Sequence, residues 1–572
     1  MPILHQYDYL MAFGTMFSLL DAFNIGANDV ANSFATSVSS KSLTLRQAAF
    51  LAAICEFLGS VLVGARVAST IKNGIISASV FQGHADVQLL AFTCAITASA
   101  TWLMIATKQS WPVSTTYSII SALIGVGIAT GGAKTVQWGW NDGKGVATIF
   151  AGFIIAPGIA AVFGAIVYLL TKYIVLVRKN SVRAALIASP VYFFTVACVL
   201  TMSIIYKGSP QLKLDKLPEN TITAGIVGTG AVVAALSAIF WLPFVYARVV
   251  KKDYTIRWYH FFMGPLLWSR AAPADVDDHS AVPDYTIHKE ADHDVHGVTS
   301  DTSSAEPKEK DLEDGRTQPE IARPSPLANE VEGTRSGFTP LHPDQSWFAP
   351  ANLWIILRYR IVETLTHGLN VDIHALQSGA GGSKEADRMA EMHRCAVQYD
   401  NKTEHLYSFL QVMTACTASF AHGANDLANA VGPWATIYYV WSTGLLAGKS
   451  TPTPVWLIAV AAIALVIGLA TYGYNIMKAL GNKLTLHSPS RGFSMELGSA
   501  ITVILASQYG IPVSTTMCIT GATLGVGLCN GDWRAFNWKA LGWIFAGWIL
   551  TVPVAALSAG CLMGLLLNAP SL

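Results

Sequence analysis

Two short segments place carboxamides and a carboxylate where a lipid bilayer would be expected. Residues 24–34 read NIGANDVANSF inside the first strongly apolar stretch, and residues 423–429 repeat the pattern as GANDLAN. Asn28, Asp29 and Asn32, mirrored by Asn425, Asp426 and Asn429, supply hard oxygen ligands at i, i+1 and i+4, so the first and third of each set share a helical face. An ionised Asp at that depth costs about 2.5–3.5 kcal/mol on insertion scales unless a cation neutralises it. Two mirrored sets therefore predict two sites for a coupling cation. The glycines beside them predict a break in the helix, tolerable in a membrane only where the freed carbonyls face a cavity or an ion.

A second motif follows each copy, PVSTTYSIISALIGVG at 112–127 and PVSTTMCITGATLGVG at 512–527. Pro112 and Pro512 suit the first turn of a helix, where no N–H is needed. Ser114, Thr115 and Thr116, with Ser514, Thr515 and Thr516, then set hydroxyls and unpaired N–H groups at the positive end of a helix dipole, an arrangement that binds anions. Six hydroxyls meeting at two such tips would surround one tetrahedral oxyanion. Neither tip holds an Arg, and Lys108 is matched by Gln508, so the donors are mostly neutral and the anion can leave again. A single Ser-Thr-Thr after Pro is ordinarily a helix cap, and buried Asn and Asp also serve as interhelical hydrogen-bonding residues. The recurrence of both motifs together, separated by 86 residues in one half and 89 in the other, favours a transport site over either.

The elements that must position these residues are membrane helices. The chain is 52% hydrophobic and 13% charged, against the roughly 25% charged of soluble domains. Segments long enough to cross the bilayer fall at about 9–35, 43–67, 145–175, 182–206, 222–248, 404–437, 453–479 and 540–567. Two further apolar pairs, about 87–107 with 113–130 and 493–509 with 513–530, are each interrupted by Pro and polar residues, as re-entrant hairpins would be. The reading is an all-α polytopic membrane protein with about twelve membrane helical elements. The first half occupies 8–250, a loop 251–403, and the second half 404–570.

Five spans precede the second GAND copy, so the halves are inverted relative to each other. Arg178, Lys179, Arg183, Arg248, Lys251, Lys252 and Arg257 then place the 251–403 loop in the cytoplasm and both termini outside, with Lys207, Lys213 and Lys216 dissenting. The sequon at Asn401-Lys402-Thr403 would face the cytoplasm and stay unmodified. The first apolar segment lacks the basic region and cleavage site of a signal peptide and reads as retained. Within the loop, 275–335 has the composition of a disordered segment, while 258–268 and 347–369 mix aromatics and cations as interfacial helices do.

Other polar residues carry weaker signals. Glu56 and Glu496 lie in apolar segments without acidic counterparts in the opposite half, and Gln109, Gln508 and Asn475 are candidates for a polar lining. His279, His288, His293 and His296 are irregularly spaced in the loop and read as solvated. The eight Cys show no metal-ligand spacing and read as packing residues. A net charge of +1 gives no electrostatic reason for a nucleic-acid partner. Nothing reads as a catalytic nucleophile, base or nucleotide loop, so the chain is expected to be no enzyme and to need no cofactor.

GANDVANSFATSVSS (26–40), GANDLANAVGP (423–433) and the two PVSTT segments closely resemble the inorganic phosphate transporter (PiT) family, over about 8–250 and 400–570. The arrangement is most similar to its eukaryotic sodium-coupled branch, and within that to fungal high-affinity plasma-membrane symporters. The resemblance implies phosphate held by Ser114, Thr115, Thr116, Ser514, Thr515 and Thr516. It implies sodium near Asn28, Asp29, Asn425 and Asp426, with the two aspartates lining both sites. It also implies functional glutamates at 56 and 496, and a homodimer. The expected activity is inward symport of phosphate with sodium by alternating access. Proton coupling, sulfate as cargo, or a phosphate-sensing receptor are the alternatives; acceptors such as Asp29 and Asp426 favour protonated phosphate over sulfate.

Overall fold

In hydrocarbon every backbone N–H and C=O must find its partner within the chain, and the apolar segments do so as helices. A computed structural model describes residues 3–63, 76, 78–81, 83–140, 145–207, 217–271, 282–285, 346–371, 373, 384–448, 451–508 and 513–569. The longer helices are α1 (His5–Ser39), α2 (Leu45–Val63), α3 (Ala85–Lys108), α4 (Thr115–Gly131), α5 (Val146–Leu176), α6 (Ser181–Lys207) and α7 (Glu219–Val250). There follow α8 (Lys384–Cys395), α9 (Asn401–Asn425), α10 (Leu427–Thr443), α11 (Val455–Leu480), α12 (Pro489–Gln508), α13 (Thr515–Leu528) and α14 (Trp538–Asn568). Setting aside the polar α8 and counting α9 with α10 as one kinked unit, the described residues hold twelve such elements.

Eight helices among the described residues are long and apolar enough to cross a membrane, but they are not the eight expected. The 24-residue α3 qualifies, although the Pro-interrupted sequence around it predicts the arm of a hairpin. The stretch 404–437 does not. Its α9 carries Glu404, His405, Gln411 and His422, all buried and all bonded to protein groups, so it lies among other helices rather than against lipid. Both interrupted pairs do fold back on themselves, α3 packing on α4 and α12 on α13.

Corresponding elements of the two halves interlock. α1 packs on α11 and α9 on α2, while α4 packs on α14 and α13 on α5. The motif glycines make the first two contacts. A Cβ on Gly26 would sit 1.8 Å from the Leu465 carbonyl oxygen, and one on Gly423 would sit 2.5 Å from that of Glu56. These glycines permit close helix approach; they do not break the helix. α1 runs straight through its motif, with Gly26–Val30 wound as a π-helix, and the second copy bends at Asp426 with helical angles (φ −88, ψ −26). The expected breaks are therefore a widened turn and a kink, as π-type insertions at functional positions commonly are.

The chain divides into one unit of Met1–Tyr285 with Ile361–Leu572 and a second of Thr286–Arg360. In the first, Trp258–Trp268 is helical with a kink at Gly264 and leaves Trp258, Phe262 and Leu266 exposed, the pattern of an interfacial element. In the second, Pro350–Ile355 and Ile356–Arg360 are helical, with Trp347, Phe348 and Trp354 exposed. Most of 275–335, including its four histidines His279, His288, His293 and His296, lies outside the described residues. Val282–Tyr285 is described, and it is packed: Tyr285 places its hydroxyl 2.8 Å from His405 Nδ1, and Asn401 bonds both the Tyr285 N–H and the Pro283 carbonyl. The sequon asparagine is thus held by a piece of the loop read as unstructured.

Candidate functional site

The two motif pairs meet at the centre of the first unit, and they do so crosswise. Asp29 accepts hydrogen bonds from Thr115 of its own half and from Thr516 of the other, the latter at 2.6 Å. Asp426 accepts from Thr515 of its own half at 2.6 Å and from Thr116 of the other at 3.1 Å. Asn32 donates to Thr516 at 2.7 Å, and Asn429 donates to Thr116 at 3.0 Å. These six contacts fall into three pairs related by exchange of the halves and involve eight residues, and a further bond from Asn429 to Thr115 at 3.3 Å, without a counterpart in the other half, links them into one open ring. All of them except Thr515 are buried, and Thr515 is half-buried.

The remaining motif residues hold the ring in place. Asn28 donates to Thr107 Oγ1 and the Trp111 carbonyl and accepts the Val113 N–H, which fixes the α3–α4 tip to α1. Asn425 donates to Asp426 Oδ1 at 2.9 Å and to the Val513 carbonyl at 3.4 Å. Ser114 and Ser514 are N-caps, accepting the N–H of Tyr117 and Met517. The structure therefore brings Thr115, Thr116, Thr515, Thr516, Asp29, Asn32, Asp426 and Asn429 together, and uses Asn28 and the two serines to position them. Gln109 is exposed beyond the tip; the Gln508 side chain and Pro512 lie outside the described residues.

Both glutamates attach to α9. Glu56 accepts from Ser419 Oγ at 2.8 Å and lies 2.9 Å from His422 Nδ1. Glu496 accepts from Thr36 at 2.5 Å, Ser37 at 2.7 Å, Thr414 at 2.5 Å and Gln411 at 3.2 Å, so it ties α12 to both α1 and α9. His422 is a residue the motif reading passed over. Its other nitrogen stands 3.2 Å from Asp426 Oδ2, and Asp29, His422 and Asp426 offer ligand atoms within 4.8 Å of one another. The signal was there in sequence: an ionisable residue beside Gly423, where the first copy has Ile25.

Hard carboxylate and amide oxygens suit a sodium ion. Among the described residues the buried Asn32 Oδ1 has no hydrogen-bond partner, so one such oxygen is uncommitted. The cavity bordered by Asp29, Asn32, Ser33 and Thr515 has about 20 Å³, room for about one water. An oxyanion enters only if the threonine hydroxyls turn away from the carboxylates. A larger cavity of about 830 Å³ adjoins the α3–α4 tip, lined by Gln109, Trp111, Arg388, Lys478, Arg534 and Lys539 among others. Lys and Arg side chains are thus absent from the ring and gathered at this cavity, where they attract anions without trapping them.

The sequence matches the family model described as the phosphate transporter family over residues 25–559. It is 44% identical to the phosphate-repressible phosphate permease pho-4 of Neurospora crassa, over 99% of each chain. It is 27% identical to the sodium-dependent phosphate transporter 2 of Xenopus laevis, again over 99% of each. Among solved structures it resembles one titled the sodium-dependent phosphate transporter, with a TM-score of 0.62 and 23% identity, covering 98% of this chain and all of that one.

Proposed function

The chain belongs to the phosphate transporter family, and from that premise we propose that it is a sodium-coupled phosphate symporter of the plasma membrane, working by alternating access of its two halves. The observation that carries this reading is the crossed ring of threonine hydroxyls and aspartate carboxylates. Each hydroxyl has one proton to donate. In the ring Thr115, Thr116, Thr515 and Thr516 give theirs to Asp29 and Asp426. Sodium bound to the carboxylate oxygens competes for the same lone pairs and releases the hydroxyls. They then turn to phosphate, whose own charge the bound sodium offsets. Phosphate finds free hydroxyl donors only once sodium is bound, and its charge then holds the sodium more tightly, so the coupling is reciprocal.

Because every bond in the ring joins the two halves or holds a tip against its own motif helix, opening it frees one half to move against the other. The 830 Å³ cavity offers phosphate a cationic path on one side. With the loop cytoplasmic and the termini outside, as the basic residues suggest, this path is the cytoplasmic one. The pho-4 permease and the animal transporters are named for phosphate, and the latter for sodium as well. The test is radiolabelled phosphate uptake in cells lacking their own transporters, in sodium and in choline medium across pH. Uptake is expected in sodium alone. Uptake indifferent to sodium but steep in pH would replace sodium by protons in this scheme, and sulfate competing as well as phosphate would overturn the assignment of cargo.

A further inference from the structure

A second buried carboxylate stands outside the ring. Asp21 lies eight residues before Asp29 on α1, about 12 Å along the axis. It is fully buried, and among the described residues no Lys, Arg or His pairs with it. Its Oδ1 accepts from Ser99 Oγ on α3 at 2.9 Å, and Ser99 Oγ lies 3.1 Å from Ser118 Oγ on α4. Among the described residues its Oδ2 has no hydrogen-bond partner. Neither does Ser18 Oγ one turn earlier, nor Asn24 Oδ1 one turn later, although all three residues are completely buried. Asn24 spends its amide N–H on the Ala100 carbonyl and leaves its oxygen free.

Ser18, Asp21 and Asn24 recur at i, i+3 and i+6 along α1, a stripe whose Asp21 and Asn24 contact α3. Every uncommitted atom on that stripe is an oxygen. A proton on Asp21 would answer Oδ2 and at most one neighbour, whereas a cation draws on oxygens alone. One carboxylate among neutral hydroxyl and amide oxygens matches a monovalent ion; a divalent ion would ordinarily hold more charge around it. We propose that Asp21, with oxygens drawn from Ser18, Asn24, Ser99 and Ser118, binds a sodium ion separate from the ring of Asp29 and Asp426. The position corresponding to Asp21 in the second half is Ala418, so this site is single where the ring is duplicated. It sits on the helix that carries Asp29 and against both arms of the α3–α4 pair, so its occupancy is communicated to the Thr115 tip. The choice of sodium as the ion rests on the coupling proposed above.

The test is equilibrium binding of radioactive sodium to the purified full chain without phosphate, comparing the unmodified protein, Asp21→Asn and Ser18→Ala. Asp21→Asn is expected to bind one sodium fewer per chain while keeping the ions held at the ring. Ser18→Ala removes an oxygen that no protein group uses, so folding is unaffected and sodium affinity at this site falls several-fold. Unchanged stoichiometry and affinity in Asp21→Asn would overturn the proposal while leaving the ring reading intact. Should Asp21→Asn fail to fold, unchanged affinity in Ser18→Ala overturns it equally. No sodium bound by the unmodified protein would overturn both this site and the coupling.

Discussion

Replacing Asp29 by Asn tests the ring most directly, because it removes the charge and keeps the shape. Asp29 accepts two hydroxyl hydrogen bonds, from Thr115 and Thr516, and faces the uncommitted oxygen of Asn32. A cation about 4 Å away loses about 4 kcal/mol of attraction when the carboxylate becomes neutral, taking an effective dielectric of about 20. The remaining amide oxygen and the easier burial of a neutral side chain recover roughly 1–2 kcal/mol, leaving a net loss of about 2–3 kcal/mol. At about 1.4 kcal/mol per decade the sodium concentration for half-maximal uptake should rise roughly 30- to 140-fold. The assay is initial phosphate uptake against sodium, with choline keeping ionic strength constant and surface-expressed protein measured in parallel. Asp426→Asn should behave alike, since its two threonine bonds are the counterparts of those at Asp29. A well-expressed Asp29→Asn protein with the sodium dependence of the unmodified chain would refute the competition of sodium and hydroxyls for one carboxylate.

Gly26→Ala should destabilise the protein by about 1–3 kcal/mol or more, because its Cβ would meet the Leu465 carbonyl at 1.8 Å, while Gly225→Ala, whose Cβ enters open space, should leave thermal unfolding in detergent unchanged. Burial alone would raise the Asp253 carboxyl, but hydrogen bonds from Thr255 and the Arg270 guanidinium at 2.8 Å outweigh it and hold it below the ordinary carboxylate value. A depressed carboxyl stabilises the folded state above its unfolded pKa and loses that effect as pH falls through the folded one, so Arg270→Ala should speed amide exchange over 253–270 at neutral pH and make little difference in strong acid. Deleting 286–335, which leaves the packed Val282–Tyr285 in place, should preserve most phosphate flux; loss of signalling with flux intact would identify a sensing role for the loop.

The sequence determined by itself that this is a helical membrane protein, since apolar length and sparse charge admit little else in a bilayer. It also singled out the eight residues that meet at the centre, with Asn28, Ser114 and Ser514 wrongly counted among them, because GAND and PVSTT recur in the same order at nearly the same spacing and a duplicated, costly Asp demands a common explanation. What it left open was who bonds to whom. That Asp29 reaches across to Thr516, and that Asn28 clips a tip rather than facing the cavity, follows from how α1, α4, α9 and α13 cross, and no periodicity within one helix encodes a crossing. The glycines were misread for the same reason: local propensity speaks of backbone freedom, whereas Gly26 and Gly423 answer to the backbone of another helix. His422 and Asp21 had no duplicate to draw attention to them. Only the fold, by burying each among oxygens from distant segments, decided that they matter.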